Sequence, residues 1–147
     1  MQMNVRYGLI GAGMMGIEHI RNLALLKGAD LVAIADPVEA SLASARDALG
    51  DRSANVAMFA DGAALCRSGL VDAVIVATPN FTHRATLESV FDAHLHILCE
   101  KPLATTIEDA RWIAGRAAGY DKVVWIGAAA EICAREKRVV EMAELGF

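Results

Sequence analysis

Tyr7-Gly8-Leu9-Ile10-Gly11-Ala12-Gly13-Met14-Met15-Gly16 decides the fold of this chain. An apolar run leads into G-x-G-x-x-G, and an acid, Asp36, follows 20 residues after Gly16. This is the fingerprint of a strand, a tight turn and a helix that cradle a dinucleotide pyrophosphate. Gly11 lets the chain turn sharply out of the strand. Gly13 has no Cβ, so backbone amides can come close to phosphates. Gly16 lets the helix lie tightly on the strand. The helix start offers unpaired N–H groups and the positive end of its dipole.

Asp36 ends the next apolar strand, Leu31 to Ala35. A carboxylate there accepts hydrogen bonds from ribose hydroxyls and repels a 2′-phosphate, which favours NAD over NADP. The fingerprint residues are thus Gly11, Ala12, Gly13, Met14, Met15, Gly16 and Asp36. Met14 and Met15 read as core packing, with contact to the adenine side as the alternative. Other readings stay open: a structural turn without ligand, an S-adenosylmethionine site, or Asp36 as the cap of a helix starting near Val38.

Working outward, strand and helix signals alternate. Strands are expected at Val5 to Ile10, Leu31 to Ala35, Val56 to Phe59, Ala73 to Ala77, Leu95 to Cys99 and Val123 to Ile126. Helices are expected from Met14 to about Lys27, with Ile17, Ile20 and Ala24 inward, and from Val38 to Leu49. Asp61 caps a short one through Cys66. Thr82 to Asp92 follows, then a helix capped by Thr105 or Thr106 that runs to about Ala118, with Ile107, Ala110, Ala114 and Ala117 along one face. Glu131 to Leu145 reads as a last helix. Six strands alternating with helices define an α/β fold, a doubly wound parallel sheet of order 3-2-1-4-5-6. Ligands bind such sheets beyond the strand carboxyl ends, where the order reverses. Gly11 to Gly16, Thr78 to Asn80 and Glu100 to Pro102 all follow strand carboxyl ends, so three motifs converge on one edge.

The composition agrees. The chain has 147 residues, enough for one domain, and is 55% hydrophobic but only 5% aromatic. Its core must be aliphatic, as suits parallel strands buried on both faces. A net charge of −4 without a basic block argues against nucleic acid or an anionic membrane as partner. No run has transmembrane length, and the start lacks a secretory core, so the chain reads as cytoplasmic. Cys66, Cys99 and Cys133 fit no metal or redox spacing. Nor do His19, His83, His94 and His96 form a metal pattern; they are scattered along the chain.

With these motifs placed, the chain resembles the glucose–fructose oxidoreductase, inositol dehydrogenase and rhizopine-catabolism (Gfo/Idh/MocA) family. The matching residues are the glycine turn, Asp36-Pro37, Ala77-Thr78-Pro79-Asn80 with His83, and Cys99-Glu100-Lys101-Pro102-Leu103-Ala104. The resemblance covers about residues 5 to 127, the family's dinucleotide-binding half. It implies hydride transfer between a nicotinamide cofactor and a sugar or cyclitol hydroxyl. It also implies that Lys101 handles the hydroxyl proton, that Glu100 positions Lys101 or the cofactor ribose, and that Thr78, Pro79 and Asn80 line the cofactor. His83 either touches the cofactor side or only begins a helix. Residues 1 to 127 are then the cofactor domain, and 128 to 147 a helix leading toward a missing substrate domain.

The pattern departs from the family after Gly127, and His94 stands where a helix-ending glycine is usual. The sequence ends about where the family's substrate domain would start. A dehydrogenase half, a dinucleotide-binding module without chemistry of its own, and a scaffold that self-associates into a homo-oligomer are therefore the three functions weighed.

Overall fold

The computed structural model describes residues 4–127. The proposed last helix and Cys133 lie outside them. Six strands form one parallel sheet: β1 (Val5–Ile10), β2 (Ala29–Ala35), β3 (Ala57–Phe59), β4 (Ala73–Val76), β5 (His96–Cys99) and β6 (Val124–Ile126). Their order is β3-β2-β1-β4-β5-β6. Among the described residues five α-helices connect them: α1 (Met14–Leu23), α2 (Glu39–Leu49), α3 (Gly62–Arg67), α4 (His83–Asp92) and α5 (Ile107–Ala117).

Strand periodicity builds two cores. Successive strand side chains point to opposite faces. Leu9, Ile34 and Ile75 join Ile20 and Leu23 of α1 and Leu42, Ala45 and Leu49 of α2 on one face. Ile10, Ala35, Val74, Val76, Ile97 and Cys99 pack with Leu65 of α3, Leu87 and Val90 of α4 and Ile113 of α5 on the other.

The register aligns the functional edge. Phe59, Ala35, Ile10, Val76, Cys99 and Ile126 pair in one row across all six strands. The residues that follow, among them Asp36, Gly11, Ala77 and Glu100, therefore emerge side by side at the carboxyl edge. This row is where the order reverses between β1 and β4.

Several boundaries differ from the sequence expectation. α1 ends at Leu23, not near Lys27. The amides of Leu25 and Leu26 bond to carbonyls three residues back, Asn22 and Leu23, which tightens the chain out of α-helix. Leu23, three residues past Ile20, is the inward residue, and Ala24 is exposed. In α5, Ile107 is 72% exposed, and Ala114 is exposed too. Ile113 fills the core between Ala110 and Ala117, so the true stripe lies about one residue around the helix. Asp61 and Thr106 cap as expected: Asp61 accepts from the amides of Ala63 and Ala64, and Thr106 accepts from that of Asp109.

His94 lies two residues before β5, which starts at His96 rather than Leu95. It adopts the left-handed conformation (φ 58°) that glycine usually fills. Its ring edges onto Tyr120 at 5.4 Å and its Nε2 lies 2.9 Å from Asp121, contacts that offset the backbone cost.

Candidate functional site

A cavity of about 760 Å³ opens at the carboxyl edge between β1 and β4. Gly11, Gly13, Met14, Met15, Asp36, Thr78 and Pro79 are in its wall, with Val38, Ser41 and Gly62 on the far side. Among the sequence candidates, Asn80, His83, Glu100 and Lys101 stand outside that wall, as do Ala12 and Gly16.

Each glycine of the turn meets a different environment. Gly11 has φ of 97°, and a Cβ on it would come 2.5 Å from the carbonyl oxygen of Ala77. The turn therefore presses directly on the end of β4. A Cβ on Gly16 would collide with the carbonyl oxygen of Gly11, so α1 rests on the turn that precedes it. A Cβ on Gly13 would meet nothing within 4 Å. It faces open space, and Gly13 is also the N-cap of α1 without a side-chain cap. The first-turn amides of α1 have no intrahelical acceptors, and no acidic side chain occupies that turn. An anion therefore fits here.

Met14 and Met15 do not pack in the core. Met14 is 83% exposed and Met15 46%, and both border the cavity. Their place in the first turn, above the sheet edge, turns them away from the face carrying Ile20 and Leu23.

Asp36 is not the N-cap of α2; that place falls to Val38, without a side-chain cap bond. Ala12 N–H donates to Asp36 Oδ2 and Val38 N–H to Asp36 Oδ1, both at 2.8 Å. The carboxylate thus ties the glycine turn to the start of α2 while it lines the cavity. A carboxylate has about four acceptor sites, so capacity for ribose hydroxyls remains. Asp36→Ala is expected to lower stability by about 1–3 kcal/mol in urea unfolding, because the buried Ala12 amide loses its acceptor.

His83 lies beneath the site rather than in it, with no exposed surface. Its Nε2 is 3.1 Å from the Thr78 carbonyl oxygen and its Nδ1 3.1 Å from that of Leu103. The ring therefore spans the loop after β4 and the loop after β5. A neutral imidazole donates to one of these carbonyls; only the doubly protonated ring donates to both. The Cys99 thiol lies 3.5 Å from Nδ1. Burial pushes its pKa up to about 12, with the Glu100 charge adding to the effect, so it stays a thiol and an S–H donor. Cys66 is likewise held as a thiol by burial, its pKa raised to about 11.

Lys101 follows β5 at the same edge as the glycine turn. β5 is two strands from β1, about 10 Å at ordinary strand spacing. Its side chain is exposed, and the peptide to Pro102 is cis. Glu100 points to the α1 face of the sheet, one step in alternation from Cys99. There its Oε1 meets His19 Nε2 at 2.7 Å. Sequence reading missed this contact, having considered His19 only as a metal ligand. The signal was its position in α1, three residues past the buried Gly16 and so close to the sheet-facing stripe.

The comparisons with known proteins agree with this geometry. Residues 5–128 match the model of the Gfo/Idh/MocA oxidoreductase family, NAD-binding Rossmann fold, and the chain belongs to that family. The rhizopine catabolism protein MocA of Rhizobium meliloti is 36% identical over 122 residues, which cover 83% of this chain and 37% of that protein. Inositol 2-dehydrogenase 3 of Saccharopolyspora erythraea is 34% identical over 146 residues, 98% of this chain and 42% of that one. Among solved structures, myo-inositol dehydrogenase from Lactobacillus casei, in complex with NAD(H) and myo-inositol, superposes with a TM-score of 0.77 at 35% identity. That match covers 85% of this chain and 37% of the other. The chain thus spans less than half the length of these relatives.

Proposed function

We propose that this chain is the NAD-holding part of a dehydrogenase acting on a sugar or cyclitol hydroxyl. The observation that carries the reading is the open position at Gly13, beside the uncapped start of α1 and across from Asp36. The first-turn amides of α1 would hold the pyrophosphate, where the helix dipole favours negative charge. Asp36 accepts from the adenosine ribose and disfavours a 2′-phosphate. Thr78, Pro79 and Asn80 flank the nicotinamide side, with Lys101 beyond them. NAD, when bound, would supply the hydride acceptor at its nicotinamide C4. Lys101 would take the hydroxyl proton as hydride leaves the carbinol carbon, and so remove the charge that would build on oxygen. Glu100 keeps the Lys101 turn in place, and His83 keeps the two loops together.

Calorimetry of the 147-residue chain with NAD tests this reading. One-to-one saturable binding is expected, with NADP at least about tenfold weaker, a difference of about 1.4 kcal/mol. Absence of NAD binding would overturn it. A second reading is a cofactor-binding module without turnover of its own, favoured by the exposed position of Lys101 outside the cavity wall. Incubation with NAD and a panel of polyols separates the two: NADH formation that Lys101→Ala abolishes supports the dehydrogenase, and binding without NADH formation supports the module.

A further inference from the structure

One short contact crosses the sheet edge. His19, in the second turn of α1, places Nε2 2.7 Å from Glu100 Oε1, and the two side chains are only 18% and 17% exposed. A carboxylate only accepts, so the ring hydrogen sits on Nε2. Hydrogen bonds to an ionised group are roughly twice as strong as neutral ones. The other carboxylate oxygen, Oε2, accepts from the Lys101 amide at 3.3 Å. It also lies over the end of β6, where a Cβ on Gly127 would come 3.3 Å from it. The Glu100 amide donates to Val76 at 2.9 Å, which continues the β4–β5 ladder. Glu100 is therefore anchored through its backbone to β4 and through its side chain to α1.

The consequence is mechanical. Lys101 is exposed, and its ammonium makes no ion pair among the described residues. The direction of its side chain is set by its backbone, and its backbone amide is held by the carboxylate that His19 holds. The helix that receives the pyrophosphate thus also orients the turn that carries Lys101. We propose that His19 is a positioning residue: through Glu100 it fixes the Lys101 turn relative to α1, and so shapes the nicotinamide side of the cleft. This rests on the NAD reading above.

The test compares NAD with ADP-ribose, which keeps both riboses and the pyrophosphate but lacks nicotinamide. Titration calorimetry is run on the wild-type chain, His19→Leu, His19→Gln, Glu100→Ala and the double variant His19→Leu/Glu100→Ala. His19→Leu is expected to weaken NAD about tenfold and leave ADP-ribose within about twofold. His19→Gln, whose amide can donate the same bond, restores NAD to within about threefold of wild type. The double variant binds NAD no more weakly than the weaker single, because the two residues act through one contact. Should His19→Leu fail to fold, Glu100→Ala shows the same selective loss. NAD and ADP-ribose weakening in parallel, or NAD affinity unchanged in every variant, overturns the proposal and leaves the NAD reading standing. Wild-type chain that binds neither ligand overturns both.

Discussion

Gly11→Ala and Gly16→Ala are expected to be the most damaging single changes in the cofactor turn, each lowering unfolding free energy by about 3 kcal/mol. At Gly11 two costs combine. The residue has φ of 97°, and its new methyl would face the backbone of Ala77 and Thr78 at 2.5 to 2.8 Å. No rotamer change relieves a clash with backbone. At Gly16 the conformation is ordinary helix, but the methyl would be driven into the carbonyl of Gly11. α1 must then lift from β1 and expose Ile20 and Leu23. A domain of this size is stable by only about 5–15 kcal/mol. Urea titration followed by circular dichroism should therefore show a large fall in midpoint, and an unchanged midpoint would contradict the steric account.

Gly13→Ala should behave in the opposite way. Its Cβ meets nothing within 4 Å, and its backbone (φ −73°, ψ −164°) suits alanine. Stability should fall by about 0.5–1 kcal/mol at most, since alanine is a poorer N-cap than glycine. NAD affinity should fall at least about tenfold if, as proposed, the pyrophosphate approaches the amides beside this methyl. The pair of measurements, unfolding midpoint and NAD titration, thus separates a glycine that the fold needs from one that only the ligand needs. Equal NAD affinity in Gly13→Ala and wild type would show that the open space beside it is not the phosphate site.

The steric tasks of Gly11 and Gly16 were legible in the spacing G-x-G-x-x-G, because each offset fixes a place on a strand, turn or helix. The sheet order was legible for a similar reason: short apolar β runs alternating with helices admit few right-handed arrangements. Local apolarity misled where it was not periodic. Leu25 and Leu26 extend the apolar run of α1 but are exposed, and Met14 and Met15 look like core by composition yet border the cleft. What the sequence hid was tertiary pairing. His19 and Glu100 are 81 positions apart, and Leu103 reaches His83 across 20. No local pattern encodes such contacts; they follow from the strand order and from the alternation that turns Cys99 to one face and Glu100 to the other. Lys101 was marked only by its resemblance to a family motif, since an exposed lysine after a strand carries no chemical signature of its own.

A crystal structure of the chain with NAD tests the account most directly. It should show the pyrophosphate on the first-turn amides of α1 beside Gly13, the adenosine ribose against Asp36, and the nicotinamide past Thr78 on the Lys101 side of the sheet edge. A pyrophosphate bound away from the β1–α1 turn, or a nicotinamide directed toward β3, would contradict it.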